Sequence, residues 1–517
     1  MSNCNSLKKL STCIVMLYKK IVNILMGAIL VFLIVMSFFS TSVMSGNEEE
    51  ITEFVKDNIV LNLLFIIAVI VILTICMKFY EGSVLQKIEG IGVKKIRGVL
   101  LLGLFVICFV WLLMTRTEPR GDQQAIFQAV YFLHEGDYSW FEPGGYLEAC
   151  SNQIGLVLFY YLVSLIFGFK NAIVYQLLNA IGAVAIYKKI GDICLDLGMA
   201  EQKVIWLNAI SYVFFPIIMY TNFIYGNILG VALSIAAISW EIRFFKGRGT
   251  KYAFISGLAI ILGTIIKMNC MIFLIAMIIY AVIKMIETRK KVYILFVLIL
   301  IIALFLSASI PKAIARQITG EKLDQGITSL AFVVMGLQDG SRGSGWFNNY
   351  INESYEDSGY NTEIQKQMAI EEIKKSLELF KSDLKYTAKF FGKKLASEWN
   401  NPTFQCYWIN QIADSEIVQG PIVRWINNDE SVKIGYAFLD KFCALVLIGA
   451  FVCFANCRNE LTLEQMIFAT VFIGGFIFHI FWEAKAQYTL SYFILLFPYS
   501  ITGYEIITNR IAKMIER

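Results

Sequence analysis

Long apolar runs recur along the whole chain and decide what it can fold into. Runs of 16 to 24 residues follow one another from Ile21 to Ile507, and each is close to the length that an α-helix needs to cross a bilayer. Backbone polar groups must be satisfied inside hydrocarbon, so runs with few prolines predict helices; the alternating pattern of a β-barrel does not occur. With 57% hydrophobic and 16% charged residues, the chain is predicted to be an all-α polytopic membrane protein.

The distribution of charge predicts the orientation of the helices. Four lysines precede the first run, Ile21 to Met44, and five acidic residues with a single lysine follow it. Because cytoplasmic loops collect Lys and Arg, the amino terminus is predicted to be cytoplasmic and the protein to be a multi-pass protein of the cell membrane. The third run, Val99 to Met114, then places Asp122 on the outer face.

The segment 154–187 leaves the number of crossings open. Ile154 to Phe169 and Ala172 to Tyr187 resemble two crossings, but Lys188 and Lys189 favour a cytoplasmic position after them, which requires an odd number. Either one of the two is re-entrant or the charge rule fails here. The sequence therefore predicts 12 or 13 transmembrane helices.

Loop lengths divide the chain into four regions. These are a two-helix membrane extension (1–97), a membrane core (98–310) with an outer loop at 115–153, a mostly helical extracytoplasmic domain (311–434), and the last membrane helices (435–517). Ordered loops of this length are usually functional. The inserted domain contains a lysine-rich helical pattern from Thr362 to Glu398, which is typical either of a helix lying on anionic lipid or of the solvated face of a docked helix.

Residue types argue against several kinds of site. The two histidines are too few for a histidine-based metal site, and the eleven cysteines lie mostly in apolar runs without CxxC spacing. The sequence contains no Gly-rich phosphate loop and no repeat of fixed period. Neither a cytosolic nucleotide site nor a nucleic-acid partner is therefore expected.

Carboxylates and aromatic side chains are concentrated in the first outer loop. Asp122 follows a turn at Pro119 and Gly121, near the amino end of a short amphipathic helix from Gln123 to Leu133. Carboxylates hydrogen-bond sugar hydroxyls, and aromatic faces pack on the C–H groups of sugar rings, so this loop has the chemistry of a sugar site. A solvated acidic loop anchored by interfacial aromatics is the alternative.

Short motifs occur along the chain in a specific order. They are Arg120 to Gln124 with Asn152 to Leu156 in the first outer loop, then Tyr220 to Asn227, Ile266 to Asn269, Met335 to Tyr350 and Trp482 to Tyr488. Together they resemble GT-C fold glycosyltransferases of the family-39, polyprenyl-phosphate-sugar-dependent type, especially those of Gram-positive surface polysaccharides. The resemblance extends over roughly Val99 to Tyr504.

The resemblance implies transfer of a sugar from a polyprenyl-phosphate donor to a cell-surface glycopolymer or a lipid-linked acceptor, in contact with membrane lipid. It implies Asp122 as the general base that takes the proton of the acceptor hydroxyl. Positive charge would stabilise the departing phosphate, and the implied ligands are Lys485, Lys267, Arg120 and Arg342. The implied sugar- or acceptor-binding residues are Asp137, Glu142, Tyr146, Asn152, Gln153, Tyr225, Asn227, Glu483 and Tyr488.

Departures from the family pattern and other functions leave alternatives. Many family members have an Asp-Glu pair where this chain has Asp122 and Gln123, so no metal ligand is assigned and a divalent cation is left open. Lys485 and Lys267 could equally be interfacial lysines that snorkel. The alternative functions are a polysaccharide polymerase and a flippase or transporter. A polymerase is expected to use more arginines in its large loop than this chain has there. A flippase or transporter is expected to have more charge at mid-membrane than this chain has.

Overall fold

The structure is a computed structural model that describes residues 2–45, 50–79, 92–117, 119–411, 420–457 and 460–515. Ten described helices are long and apolar enough to cross a membrane, or up to 12 if each of two bent helix pairs counts as one span. The prediction of an all-α polytopic membrane protein is therefore confirmed. The predicted 12 or 13 crossings agree only with the larger of these counts.

The chain begins with two membrane helices that flank a hairpin. Helix α1 (Ser2–Phe39) leads into strand β1 (Ser40–Ser45), which pairs antiparallel with β2 (Ile51–Lys56), and α2 (Ile59–Phe79) follows. The first apolar run was predicted to extend to Met44, but its last residues form β1, where Ser, Thr and Val favour extended backbone over helix. This hairpin brings Glu50, just before β2, to the end of the bundle where α1 ends.

The central part of the bundle is formed by the helices between residues 93 and 319. Its elements are α3 (Val93–Thr115), α4 (Asp122–Glu135), α5 (Tyr146–Ala149), α6 (Ile154–Phe167), α7 (Ala172–Asp196), α8 (Glu201–Val213), α9 (Pro216–Met219), α10 (Asn227–Phe245), α11 (Lys251–Ile266), α12 (Met271–Thr288) and α13 (Val292–Thr319). Short 3₁₀ turns lie at Ser139–Phe141, Ser151–Gln153, Tyr220–Asn222 and Met268–Cys270. A continuous apolar core runs through these helices and the last ones.

Two contacts show that α3 and α7 run antiparallel with their ends aligned. The Gln176 side chain, near the start of α7, donates to the backbone oxygen of Thr117, just after α3, at 3.1 Å. At the other end, Arg97 near the start of α3 pairs with Asp192 near the end of α7 at 2.9 Å. Helix α7 therefore begins at the end of the bundle that carries Asp122, and it crosses to the opposite end.

Helix α6 is too short to cross a bilayer by itself. It has 14 residues, about 21 Å at the rise of an α-helix, which is shorter than a bilayer core. Gln153, before its first residue, contacts Tyr225 at the Asp122 end, and α7 begins at that same end. The chain bends by 96° just before α6, so α6 is part of either a broken span or a re-entrant segment.

The described part of the inserted region consists of helices and one short hairpin. Its elements are α14 (Ser329–Gly336), β3 (Asp339–Gly340), β4 (Gly343–Ser344), α15 (Tyr350–Asp357), α16 (Thr362–Ser382), α17 (Leu384–Trp399), α18 (Cys406–Asn410) and α19 (Pro421–Ile426). The boundary predicted at Pro311 lies inside α13, because this helix continues to Thr319. The pattern predicted as one helix from Thr362 to Glu398 is broken at Asp383, whose side chain accepts from the Tyr386 backbone and caps α17.

Three helical segments complete the bundle. They are α20 (Asp429–Cys457), α21 (Ile467–Phe481, after a 3₁₀ turn at Glu464–Met466), and α22 (Ala486–Phe493), which continues through Ile494–Leu496 into α23 (Phe497–Ile515). The start of α20 precedes the predicted boundary at 435. The break between α21 and α22 holds Glu483 and Lys485 as a short extended segment at the Asp122 end.

Candidate active site

Asp122 lies at the start of α4 with its side chain exposed. Gly121 precedes the helix with a φ of 55°, a conformation that glycine adopts at low cost. The next residue, Gln123, is buried and accepts a hydrogen bond from the Ile224 backbone N–H at 3.0 Å. The buried glutamine therefore fixes the helix start against the turn before α10, while the neighbouring carboxylate stays accessible.

Lys267 ends α11 next to that same turn. It is 7% exposed, so its ammonium does not extend into bulk solvent as that of a snorkelling lysine would. The ammonium lies 3.7 Å from the ring centre of Tyr225, whose hydroxyl accepts from Gln153 at 2.7 Å. Burial lowers the pKa of Lys267 to about 7 against the opposing effect of the Asp122 charge.

Lys485 and Arg342 share one carboxylate that the sequence analysis did not assign to the site. Oε2 of Glu50 lies 3.3 Å from the Lys485 ammonium and 3.1 Å from an Arg342 guanidinium nitrogen. Its other oxygen accepts from the Gln405 side chain at 3.0 Å. Burial opposes the positive charge of Lys485, but Glu50, Glu483 and Asp122 more than offset burial and raise its pKa.

Glu483 and Tyr488 complete this group. The Tyr488 hydroxyl donates to Glu483 at 3.2 Å, and burial raises the pKa of Glu483 although Lys485 acts in the opposite direction. We call Glu50, Asp122, Lys267, Arg342, Glu483 and Lys485 the charged cluster. Apart from Arg342, which joins through Glu50, its members are close enough for their charges to act on one another.

The space beside Lys267 is small. Asn227, Lys267 and Tyr488 line a cavity of about 10 Å³, which is enough for about one water molecule. The Asn227 side-chain oxygen faces no hydrogen-bond partner among the described residues. The cluster is therefore tightly closed on the Lys267 side, and a larger ligand needs these side chains to move.

The structure brings together most of the residues that the sequence singled out. Lys485, Lys267, Arg342 and Glu483 belong to the charged cluster; Gln153, Tyr225, Asn227 and Tyr488 contact it, and Tyr146 lies within range of the Asp122 charge. Their elements are far apart in the chain, so only the fold explains the convergence. The short extended segments after α11 and α21 carry the two lysines.

Other predicted site residues lie outside the cluster. Arg120 donates to the backbone oxygens of Trp408 and Gln411 at 3.1 and 3.0 Å and stacks on the Trp408 ring. Asp137 accepts from the Ser139 backbone and closes its own turn. Two more predicted residues, Glu142 and Asn152, are exposed. Arg120 thus fastens the first loop to the inserted region.

Two buried charged residues that the sequence analysis did not assign to the site support it. Lys394 donates to the backbone oxygens of Gly336, Ile480 and Trp482 at 2.6, 3.0 and 2.7 Å, which fixes the end of α21 just before Glu483. Glu148 accepts from the Gly144 backbone N–H and the Tyr355 hydroxyl. Only their positions in otherwise ordinary helical patterns are visible in the sequence.

Acidic residues do not group into an evident metal site. Among the described residues, no set of three or more His, Cys, Asp or Glu side chains is placed to hold a metal ion. Comparison with known proteins gives no matching family model, no similar curated protein and no similar solved structure. The family resemblance therefore remains a prediction from the motifs.

Proposed function

We propose that this protein is a membrane glycosyltransferase. It transfers a sugar from a polyprenyl-phosphate donor to a glycopolymer or lipid-linked acceptor on the outer face of the cell membrane. The supporting observation is the charged cluster itself, in which an accessible carboxylate stands with one buried and one partly buried lysine at one end of a membrane bundle. This arrangement has the parts that such a transfer needs.

Asp122 acts as the general base. The acceptor hydroxyl attacks the anomeric carbon, its oxygen forms the new glycosidic bond, and its proton passes to the Asp122 carboxylate. The bond from the anomeric carbon to the phosphate oxygen breaks, and its electron pair leaves with the phosphate. An accessible carboxylate is suited to this step, which typically contributes a factor of about 100 to 10,000.

The lysines stabilise the negative charge of the departing phosphate. Lys267 is buried and Lys485 is partly buried, and charge interactions are stronger where water is excluded. Glu50 occupies the place between Lys485 and Arg342 where an anion fits. The donor phosphate takes this place when it binds, so Glu50 shifts away from the two cations.

The test compares Asp122→Asn with Glu135→Gln, which removes an exposed carboxylate at the other end of α4. Purified variants in lipid nanodiscs receive a polyprenyl-phosphate sugar and an acceptor glycan. We expect Asp122→Asn to reduce transfer by at least about 100-fold and Glu135→Gln to leave it unchanged. Transfer by Asp122→Asn within a few-fold of wild type would overturn the proposal.

The polymers of cells that carry these variants separate this function from its competitors. A transferase that adds one sugar predicts a polymer that lacks this sugar in Asp122→Asn cells and is otherwise intact. Complete loss of the polymer would favour a polymerase or a lipid-linked oligosaccharide flippase. A sensor or scaffold predicts an unchanged polymer.

A further inference from the structure

A second cavity lies between the amino-terminal hairpin and the inserted region. It has a volume of about 340 Å³, which is within the range of small-molecule sites, about 300 to 1,000 Å³. Its walls include Thr52 and Phe54 of β2, Asp339 of β3, and Tyr386, Lys389 and Lys393 of α17. We call it the lysine pocket.

The lysine pocket carries more positive than negative charge, because two lysines and one acid, Asp339, are among the described residues that line it. Lys389 and Lys393 are four residues apart on α17, so they lie on one face of the helix. Both are exposed, and neither forms an ion pair with a described residue. The carboxylate of Asp339 is held in place, since it accepts from the Ser344 hydroxyl at 2.6 Å and the Tyr386 hydroxyl at 2.8 Å. An anion in the pocket would therefore meet two ammonium groups that are not paired with any described carboxylate, against the single charge of Asp339.

The pocket also offers aromatic surface. The Phe54 side chain is 40% exposed. Tyr386 stacks on Phe380, and this contact holds the Tyr386 ring in place. Burial and the Asp339 carboxylate raise the pKa of Tyr386 to about 12, so its hydroxyl keeps the proton that it donates. Flat aromatic faces pack well on the C–H groups of a sugar ring, whereas a bare inorganic anion makes no use of them.

Three consecutive contacts join the pocket wall to the charged cluster. Thr52 donates from its backbone N–H and its hydroxyl to the Arg342 backbone oxygen, at 3.0 and 2.9 Å. The Arg342 side chain contacts Glu50, and Glu50 contacts Lys485. A ligand seated in the pocket thus lies on the same hairpin that supplies Glu50 to the cluster.

We propose that the lysine pocket binds an anionic saccharide unit of the acceptor, one that carries a phosphate or a carboxylate. The lysines bind the anion, and Phe54 packs on the sugar ring. The acceptor part of this inference rests on the proposed function, whereas the binding itself does not. The pocket then holds an acceptor chain at a distance from Asp122 while its growing or branching unit reaches the carboxylate.

The test measures equilibrium binding to the full-length protein in detergent. The probes are glucose 6-phosphate, glucuronate and uncharged glucose, titrated at low salt. We expect both anionic probes to bind at least about tenfold more tightly than glucose. The double substitution Lys389→Gln with Lys393→Gln should remove this preference, and Phe54→Ala should weaken all three probes.

The matched control is Lys381→Gln with Lys385→Gln, which removes the same charge from exposed positions of α16 and α17 outside the pocket. Unchanged binding by this control supports the proposal, and equal loss in both double variants would overturn it as an effect of general positive charge. Equal affinity for glucose and the anionic probes would also overturn it.

Two further measurements separate other outcomes. The first measures the affinity of nanodiscs of phosphatidylglycerol for the wild type and for the Lys389 and Lys393 double variant. If the double variant loses affinity for the nanodiscs but not for the soluble probes, the ligand is a lipid headgroup and the proposal is overturned. Asp122→Asn should bind the probes as wild type does. If Asp122→Asn also keeps full transfer, the proposed function fails while the binding site stands.

Discussion

The position of Lys267 makes donor binding depend on pH. The ammonium is buried against the Tyr225 ring, and burial lowers its pKa from 10.5 to about 7. Only the charged form stabilises an anionic phosphate. Donor affinity should therefore fall as the pH rises through about 7, although an ordinary lysine would stay charged to about pH 10.

The magnitude follows from the fraction of charged Lys267. With a pKa of about 7, roughly nine in ten side chains are charged at pH 6 and roughly one in ten at pH 8. If only the charged form binds the phosphate, donor affinity falls about tenfold between these two values. Lys267→Arg should remove most of this fall, since a guanidinium stays charged, and Lys267→Gln should bind weakly at both values.

The assay is binding of a fluorescent polyprenyl phosphodiester to protein in nanodiscs between pH 5.5 and 9. A phosphodiester keeps one negative charge across this range, so the pH dependence belongs to the protein. Wild-type affinity that is flat across the range, or Lys267→Gln with the same slope as wild type, would refute the reasoning.

The same shift has a consequence for stability. Because the folded-state pKa of Lys267 lies below the value of an unfolded lysine, the unfolded chain binds more protons between about pH 7 and pH 10.5. The contribution of Lys267 to the free energy of unfolding therefore rises with pH across this window and is most unfavourable below it. Lys267→Gln should remove this contribution, which a comparison of thermal unfolding at pH 6 and pH 9 would detect.

Two more predictions concern buried charges. Glu50→Gln should lower the free energy of unfolding by about 3 kcal/mol, since Lys485 and Arg342 lose a buried partner. It should raise the affinity for the phosphodiester several-fold, and Glu53→Gln on the exposed side of the hairpin is the control. Weaker binding by Glu50→Gln would show that Glu50 does not hold the phosphate position. Lys394→Met should lower the free energy of unfolding by about 3 kcal/mol because three backbone oxygens lose their donor. The control Lys385→Met should change the free energy of unfolding by less than about 0.5 kcal/mol. Chemical denaturation measures both.

Much of the bundle could be predicted from the sequence because membrane helices leave a strong signal. The run from Val99 to Met114 ends one residue before the end of α3. Helix ends were predicted less well where polar residues continue a helix, as beyond Pro311 in α13. Bends such as the one before α6 depend on contacts such as that of Gln153 with Tyr225, which cannot be read from composition.

The candidate site was predicted only in part, for a related reason. Asp122 could be found because a turn and a carboxylate directly follow an apolar run. Lys267 and Lys485 were assigned through a family resemblance, and the burial of Lys267 and the contact of Lys485 with Glu50 were not visible in the sequence. Asp137 and Glu142 matched the chemistry of a sugar site, but Asp137 accepts from the Ser139 backbone within its own turn and Glu142 is exposed.

Glu50 shows that an acidic residue in a loop can indicate the orientation of membrane helices or belong to a functional site. The sequence alone does not distinguish these two roles. It lies in a run of acids, Glu48 to Glu50, that indicates orientation, and its neighbours in the chain give no hint of a cation partner. The hairpin formed by β1 and β2 turns that carboxylate toward Lys485, whose position is set by the break between α21 and α22 more than 400 residues away in the chain. The amino-terminal extension is therefore part of the charged cluster, and removing residues 1–56 should unpair Lys485 and Arg342 as well as shorten the bundle.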